Sequence, residues 1–312
     1  MHSPFTRSLY LTDGGIETDL IFNRGFDLPH FASIELMRTD QGREGLATYF
    51  REYLDLAERS GAGFLLESPT WRASPDWIEP LGYTEAELAQ LNRAAIRLMH
   101  GLAVEYRQRV PQVLVSGCVG PRGDGYDPGA AMTVAEAQAY HSWQIGIFAE
   151  EQVDLVTAIT MTNLPEAIGV ARAAAEAGVP SVISFTVETD GCLPTGMTLA
   201  DAIAGVDHEA GTPPLHYMIN CAHPQHFEQV IAAGGDYLER LGGLRSNASR
   251  KSHEELNESE TLDAGDPQEL GELHADLAHR LQGLKVFGGC CGTDVRHIAS
   301  MAEALAPTQS AI

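Results

Sequence analysis

The sequence predicts an α/β protein, a single (β/α)8 TIM barrel formed by residues 1–312. Two observations carry the prediction. Eight short apolar runs alternate along the chain with eight longer amphipathic segments. The chain has 312 residues, which accommodates a barrel that typically needs about 250 residues. A doubly wound open sheet is the alternative, but its GxGxxG fingerprint is missing, because the first strand and turn run into DGGIETDL.

The predicted strands have the length of buried parallel strands, and several are rich in Val, Ile and Leu. Most of them run directly into Gly, Asn, Thr or Cys. In chain order they are Leu9–Thr12, Gly63–Glu67, Val113–Gly117, Leu155–Ile159, Val182–Thr186, His216–Asn220, Gly243–Asn247 and Lys285–Gly288.

The segments between the strands carry apolar residues at helical spacing. In Thr84–Arg109 the apolar stripe consists of Leu88, Leu91, Ala95, Leu98 and Leu102. In chain order the predicted helices are Leu46–Arg59, Thr84–Arg109, Val134–Glu151, Pro165–Ala177, Leu199–Ile203, Gln225–Ala233, Pro267–Gln282 and Val295–Leu305.

One polar segment, 247–268, lies between the seventh strand and the seventh helix and reads NASRKSHEELNESETLDAGDPQ. In a barrel the loops after the strands form the catalytic face. The segment is therefore predicted to be a long polar loop that covers the site. The alternative is an ordinary solvated insertion.

The charge balance argues against some classes of partner. The formal net charge is −23, whereas binding to nucleic acid or to an anionic membrane requires clustered Lys and Arg. The amino terminus lacks a signal-peptide core, and no apolar run is long enough to span a membrane. We therefore expect a cytoplasmic protein that acts on small molecules. The sequence gives no indication of its oligomeric state.

Three of the five cysteines follow predicted strands whose ends lie at one mouth of the barrel. Cys221 follows the sixth strand, and the adjacent Cys290 and Cys291 follow the eighth. Three thiolates that leave a fourth tetrahedral position open are the pattern of a catalytic Zn2+. Glycines flank the vicinal pair and give its backbone the freedom to turn both sulfurs inward. The alternative is a set of buried, inert thiols, as we expect for Cys118 and Cys192.

Four motifs spread over the chain resemble the homocysteine S-methyltransferase family. They are DGGIETDLIFNRG at the start, SGCVGPRGD after the third strand, NCAHP after the sixth, and GGCCGT after the eighth. The pairing of GGCCG with an upstream NC is specific to that family, and the likeness covers nearly the whole chain.

The resemblance implies a zinc-dependent barrel enzyme whose metal is held by Cys221, Cys290 and Cys291. A methyl group would pass from a sulfonium or ammonium donor to a zinc-activated thiol, homocysteine by default, giving methionine. Such a reaction needs no side chain as general base, because metal binding keeps the thiol deprotonated. The turn Asp13-Gly14-Gly15 is implied to approach the substrate, and Asn220 is a further candidate contact.

The sequence departs from the family at the fourth strand. Relatives resemble D-x-L-x-x-E there, and the glutamate binds the amino group of homocysteine. This chain reads DLVTAI, which places Ile159 at that position. We expect Glu67 to replace the missing carboxylate, with Glu17 as a weaker candidate. The alternative for Glu67 is a structural ion pair or a helix cap.

Other residues near the predicted strand ends are candidates with weaker support. His223 would support a metal ligand or be an extra ligand itself, or else be an ordinary loop histidine. Trp71 and Trp77 would contact an onium donor through cation–π interactions, or else pack in the core. Arg72 and Arg122 would bind a substrate carboxylate, or else be ordinary surface arginines.

Three hypotheses about function follow. The first is the methyltransferase described above. The second keeps the zinc barrel but gives it a different thiol or selenol acceptor, or a demethylase role, and Ile159 motivates it. The third is a non-enzymatic thiol or metal sensor that uses the vicinal cysteines. A sensor would be expected to carry an effector or nucleic-acid module, and the sequence shows neither.

Overall fold

The structure is a computed structural model that describes residues 2–126, 129, 132–259 and 261–306. Eight strands form its centre, and each coincides with a predicted strand to within two residues at either end. They are β1 (Tyr10–Leu11), β2 (Gly63–Glu67), β3 (Val113–Val119), β4 (Leu155–Met161), β5 (Ser181–Thr186), β6 (Tyr217–Asn220), β7 (Leu241–Ser246) and β8 (Val286–Gly289).

One main helix follows each strand. The eight are α1 (Asp40–Ser60), α2 (Glu85–Tyr106), α3 (Val134–Glu150), α4 (Leu164–Glu176), α5 (Leu199–Glu209), α6 (Pro224–Ala233), α7 (Pro267–Arg280) and α8 (Val295–Leu305). The start of α1 differs from the prediction, because the Thr39 side chain accepts a hydrogen bond from Gly42 N and caps the helix six residues earlier.

All strand pairs are parallel, and the order β1 to β8 closes into a barrel. Closure is made by β1 and β8, with Tyr10 opposite Val286. The (β/α)8 prediction is confirmed, and the open-sheet alternative is excluded. The extent of the predicted domain stays a prediction, since 307–312 lie outside the described residues.

The core has two parts. The larger lies between the sheet and the helices, and a smaller cluster fills the barrel interior with residues from most of the strands, including Leu65, Met218 and Val286. Strand β7 adds no apolar side chain to this inner cluster. A Cβ at Gly243 would crowd the Met218 and Val286 side chains, so glycine fits there. Two residues on, β7 presents Arg245 towards the mouth of the barrel.

The polar segment after β7 is not entirely irregular. It contains a short helix, His253–Asn257, whose first turn is closed by a capping box of Ser252 and Glu255. Within the segment, Glu260 lies outside the described residues. None of the described helices combines the length and the apolar composition that a membrane span requires.

Candidate active site

A cavity of about 370 Å³ opens at the carboxyl ends of the strands. Its walls come from residues at or after the ends of β1, β2, β3, β4, β6, β7 and β8. The segment after β7 contributes Ser249 and Leu256 to the wall. The cavity therefore lies where a TIM barrel places its active site. That the segment covers the site as a loop remains a prediction.

The three predicted metal ligands meet in this cavity. Their sulfur atoms all lie within 4.8 Å of one another. The Sγ of Cys221 lies 2.7 Å from that of Cys290 and 3.9 Å from that of Cys291. Within the described residues this is the one group of three or more His, Cys, Asp or Glu side chains arranged to hold a metal ion.

The backbone at the three cysteines explains how two adjacent residues reach one point. Cys221 adopts φ +53°, in the left-handed region that few residues other than glycine adopt. Gly292 has φ +81° and turns the chain immediately after Cys291. A Cβ at Gly15 would collide with the carbonyl oxygen of Cys290. Glycine at position 15 therefore lets the DGG turn approach the GGCCG turn closely.

Hydrogen bonds among the thiols separate their acidities. Contacts from Cys221 and Cys290 lower the pKa of the Cys291 thiol well below its ordinary value. Contacts with Cys290 and with Cys291 raise the pKa of the Cys221 thiol. A thiolate at Cys291 is thus stabilised by neighbours that donate to it, as expected of thiols gathered at one point.

Asn220 lies next to the cysteine cluster and is held by hydrogen bonds with residues of β4 and β5. Its Oδ1 accepts hydrogen bonds from Thr160 N at 2.9 Å and Ser184 Oγ at 2.6 Å, and its Nδ2 donates to Thr160 Oγ1 at 2.8 Å. Nδ2 also lies 4.0 Å from Cys290 Sγ. Thr160 has φ +67° and lies where the register of β4 against β5 shifts. Asn220 is not part of the cavity wall, so its role as a substrate contact stays a prediction.

Two residues that the sequence analysis did not single out contact the cysteines. The Tyr126 hydroxyl lies 3.6 Å from Cys221 Sγ and 3.5 Å from Cys291 Sγ. His253 stacks on the Tyr126 ring with centroids 4.0 Å apart. Its Nε2 lies 2.6 Å from the carbonyl oxygen of Cys221, and its Nδ1 lies 3.0 Å from Glu188 Oε1. No sequence motif marks either residue.

A buried arginine, also absent from the predicted site, lies at the base of the cavity. Arg245 forms an ion pair with Glu67 Oε2, and its Nη2 lies 2.7 Å from Asp13 Oδ1. It also donates to the carbonyl oxygens of Gly14 and Gly289. Glu67 Oε1 has no hydrogen-bond partner among the described residues. The structure thus favours the structural alternative for Glu67, whose substrate role stays a prediction. The sequence signal that could have identified Arg245 as a site residue was its charge, because it lies within the otherwise largely apolar strand β7.

Asp13, Gly14, Gly15 and Glu17 all line the cavity. Ser33 Oγ donates to Glu17 Oε1 at 2.8 Å, and no described Arg, Lys or His forms an ion pair with this carboxylate. Burial raises the pKa of Glu17 to about 7. Ile159 also lines the cavity, so the wall is apolar where the family pattern has a carboxylate.

Arg72 lines the same cavity together with Trp71. Its guanidinium lies 5.0 Å from the Trp71 ring centroid and 4.6 Å from that of Trp77. It donates to the carbonyl oxygen of His30, whereas its buried Nε meets no acceptor in the part of the chain that the structure describes. Trp77 is not part of the cavity wall. One face of the predicted aromatic site is therefore occupied by Arg72.

The structure places the remaining candidates as follows. His223 caps α6 by accepting a hydrogen bond from Gln225 N, a structural role. Arg122 pairs with Asp76 and lies outside the cavity wall. Cys118 lines the cavity but is not part of the thiol cluster. Cys192 lies in neither.

Residues 10–305 match the family model described as homocysteine S-methyltransferase. No curated protein matches the chain in sequence.

Solved structures with the same fold include crystal structures of the homocysteine methyltransferase MmuM from Escherichia coli. The metallated form is 21% identical, with a TM-score of 0.70 and 96% of both chains covered. The oxidised form is also 21% identical, with a TM-score of 0.72 and the same coverage. At this level of identity the similarity establishes the fold.

Proposed function

The chain belongs to the homocysteine S-methyltransferase family, and from this membership we propose that it is a zinc-dependent S-methyltransferase. In the proposed reaction a sulfonium or ammonium donor gives a methyl group to a small thiol, homocysteine by default, and the product is methionine. The observation that carries the proposal is the convergence of the Cys221, Cys290 and Cys291 sulfurs on one cavity.

The donor set fits zinc. Three thiolates are soft ligands that suit Zn2+, and three protein ligands leave one tetrahedral position for a substrate. Zn–S bonds of about 2.3 Å hold sulfurs roughly 3.8 Å apart. The 3.9 Å between Cys221 and Cys291 matches that spacing, whereas the 2.7 Å between Cys221 and Cys290 would have to lengthen.

Bound zinc would keep the acceptor thiol deprotonated at neutral pH, when a free thiol is mostly protonated. The thiol proton passes to solvent. The acceptor sulfur then forms a bond to the methyl carbon while the bond from that carbon to the onium sulfur or nitrogen breaks. The donor leaves without its positive charge. The chain contributes by holding both reactants in line and by surrounding them with the walls of the cavity.

A second candidate function keeps the same chemistry with a different acceptor. Ile159 favours it, because an isoleucine cannot bind the ammonium group that distinguishes an amino acid from a simple thiol. The two candidates share the metal and the donor class. They differ in whether homocysteine is methylated.

Metal analysis of the protein purified under reducing conditions tests the zinc site. We expect about one zinc per chain, and loss of the metal in Cys221→Ala, Cys290→Ala and Cys291→Ala. Cys118→Ala is the matched control, since this thiol lines the cavity outside the cluster, and it should keep its zinc. A zinc-free protein with a Cys290–Cys291 disulfide would contradict the proposal.

The acceptor is tested by measuring methionine formed from homocysteine with S-methylmethionine, S-adenosylmethionine or betaine as donor. We expect methionine with at least one donor. A zinc-loaded enzyme that yields no methionine with any of them, but demethylates a donor in the presence of another thiol, would favour the second candidate.

A further inference from the structure

We propose that Glu17 and Arg72 together bind the charged end of a zwitterionic thiol amino acid. Glu17 would hold the ammonium group of the acceptor, and Arg72 its carboxylate. Glu17 thereby takes over the function of the glutamate that Ile159 replaces. The inference rests on the proposed function, because it concerns the acceptor of that reaction.

The ion pairs of the cavity leave two carboxylates without a described cation, Glu17 and Asp263. They differ because hydrogen bonds from Ser249 and Gly265 lower the pKa of Asp263, whereas burial raises that of Glu17. Asp13 and Glu67 both pair with Arg245. The carboxylate of Glu17 receives a hydrogen bond from Ser33, and no described basic side chain pairs with it. A buried carboxylate without a cation is costly to ionise, which agrees with the raised pKa of about 7. A ligand ammonium group would supply the missing charge.

Arg72 is a largely buried cation whose guanidinium is incompletely paired. Burial lowers its pKa, and its Nε donates to no described acceptor. The separation of 3.8 Å between its Nη2 and Asp124 Oδ2 makes this ion pair a loose one. The Trp71 and Trp77 rings both lie against the guanidinium and restrict its movement. A guanidinium held this way can bind a ligand carboxylate, the geometry for which arginine is best suited.

The positions of the two charges suit one small ligand. Glu17 and Arg72 line the same cavity and influence each other electrostatically without forming an ion pair. Glu17 also interacts electrostatically with the Cys290 thiol. The apolar side chain of Ile159 lines the wall of this cavity and would contact methylene groups. A ligand that carries a thiol, an ammonium group and a carboxylate would meet a partner for each of the three groups in this one cavity.

Binding of three related thiols to the zinc-loaded full-length protein tests the inference, with titration calorimetry as the readout. L-homocysteine carries both charges, 3-mercaptopropylamine lacks the carboxylate, and 4-mercaptobutanoate lacks the ammonium group. We expect the wild type to bind homocysteine at least about tenfold more tightly than either analogue, since a charge-assisted contact is worth that factor or more.

The variants should then divide the two preferences. Glu17→Gln should abolish the preference for homocysteine over 4-mercaptobutanoate while binding 4-mercaptobutanoate as well as the wild type does. Arg72→Gln should abolish the preference over 3-mercaptopropylamine and still bind that amine. This crossed pattern cannot arise from general damage to the fold. Arg122→Gln, which removes an arginine outside the cavity that stacks on Tyr140, should keep both preferences.

Three outcomes would overturn the inference. One is a wild type that binds the three thiols equally. Another is retention of both preferences in both variants. The third is that Glu17→Gln and Arg72→Gln bind homocysteine as the wild type does but have a raised Michaelis constant for S-methylmethionine. That result would assign the pair to the donor. If no thiol bound to the zinc-loaded wild type, the proposed function itself would fail, so the two failures are distinguishable.

Discussion

Arg245 and Glu67 form a buried ion pair at the base of the cavity. The same guanidinium lies 2.7 Å from Asp13. One arginine therefore compensates the negative charges of two carboxylates, one after β1 and one at the end of β2. Their charges are used to hold the first, second and seventh strands in register at the mouth of the barrel. They are therefore poor candidates for binding a ligand cation.

Replacing Arg245 should destabilise the protein strongly. Arg245→Met leaves Asp13 and Glu67 buried without a cation, and breaking such a pair typically costs about 3–5 kcal/mol of unfolding free energy. Urea denaturation at pH 7 measures this. Arg240→Met is the matched control, because Arg240 pairs with Asp207 in a partly exposed position and its loss should cost about 1 kcal/mol or less. Equal costs for the two variants would contradict the role assigned to Arg245.

Replacing Glu67 should have little effect on acceptor binding. Glu67→Gln removes one of the two carboxylates that pair with Arg245 and leaves Glu17 untouched. We expect the dissociation constant for L-homocysteine to stay within about twofold of the wild-type value, and zinc content to be unchanged. Titration calorimetry on the zinc-loaded variant measures it. A tenfold weakening in a normally folded variant would return the ammonium-binding role to Glu67.

Removing the His253 ring nitrogens should weaken zinc binding. His253→Phe preserves an aromatic ring against Tyr126 but deletes the hydrogen bond to the carbonyl oxygen of Cys221. Partners that orient metal ligands are typically worth about tenfold or more in affinity, and we expect a loss of about tenfold in competition with a chromophoric chelator. His226→Phe is the control, because His226 bonds the carbonyl of Arg250 outside the thiol cluster. Equal zinc affinities in His253→Phe and His226→Phe would refute the role of His253 in positioning Cys221.

Protonation of His216 should contribute to destabilisation in acid. Burial lowers the pKa of His216 to about 3, whereas an unfolded histidine titrates near 6.5. The unfolded chain therefore binds the proton more tightly, and the stability that neutral His216 provides above pH 6.5 is lost as the pH falls towards 3. Between pH 7 and pH 5 its share is about 2 kcal/mol. His216→Asn should reduce the fall in unfolding free energy by that amount, and an identical pH profile would refute the assignment.

The strands could be predicted because barrel strands are buried on both faces and therefore form continuous apolar runs. The helices followed from their apolar stripes, and errors were confined to ends such as Asp40, where a cap decides the boundary. The cysteine cluster was also within reach of the sequence. Once the strand order is known, residues after β6 and β8 must meet at one mouth.

The pairing of the charged side chains in the cavity could not be predicted from the sequence, for a physical reason. Whether Glu67 or Glu17 is free to bind a ligand depends on which carboxylate Arg245 contacts, and that contact joins residues 178 positions apart. That Arg72 Nε lacks an acceptor among the described residues is likewise a property of packing. Spacing along the chain carries no information about such partners.

The segment after β7 shares its hydrogen bonds with the cysteines, which sets a limit on loop grafting. Asn247 Nδ2 donates to the carbonyl oxygen of Cys221 at 3.0 Å, and Ala248 N donates to that of Cys291 at 3.1 Å. His253 Nε2 adds the third such contact, again to Cys221. A chimera that exchanges this segment with that of a relative should therefore splice after His253. A junction directly after Ser246 would replace the scaffold of the metal ligands along with the loop.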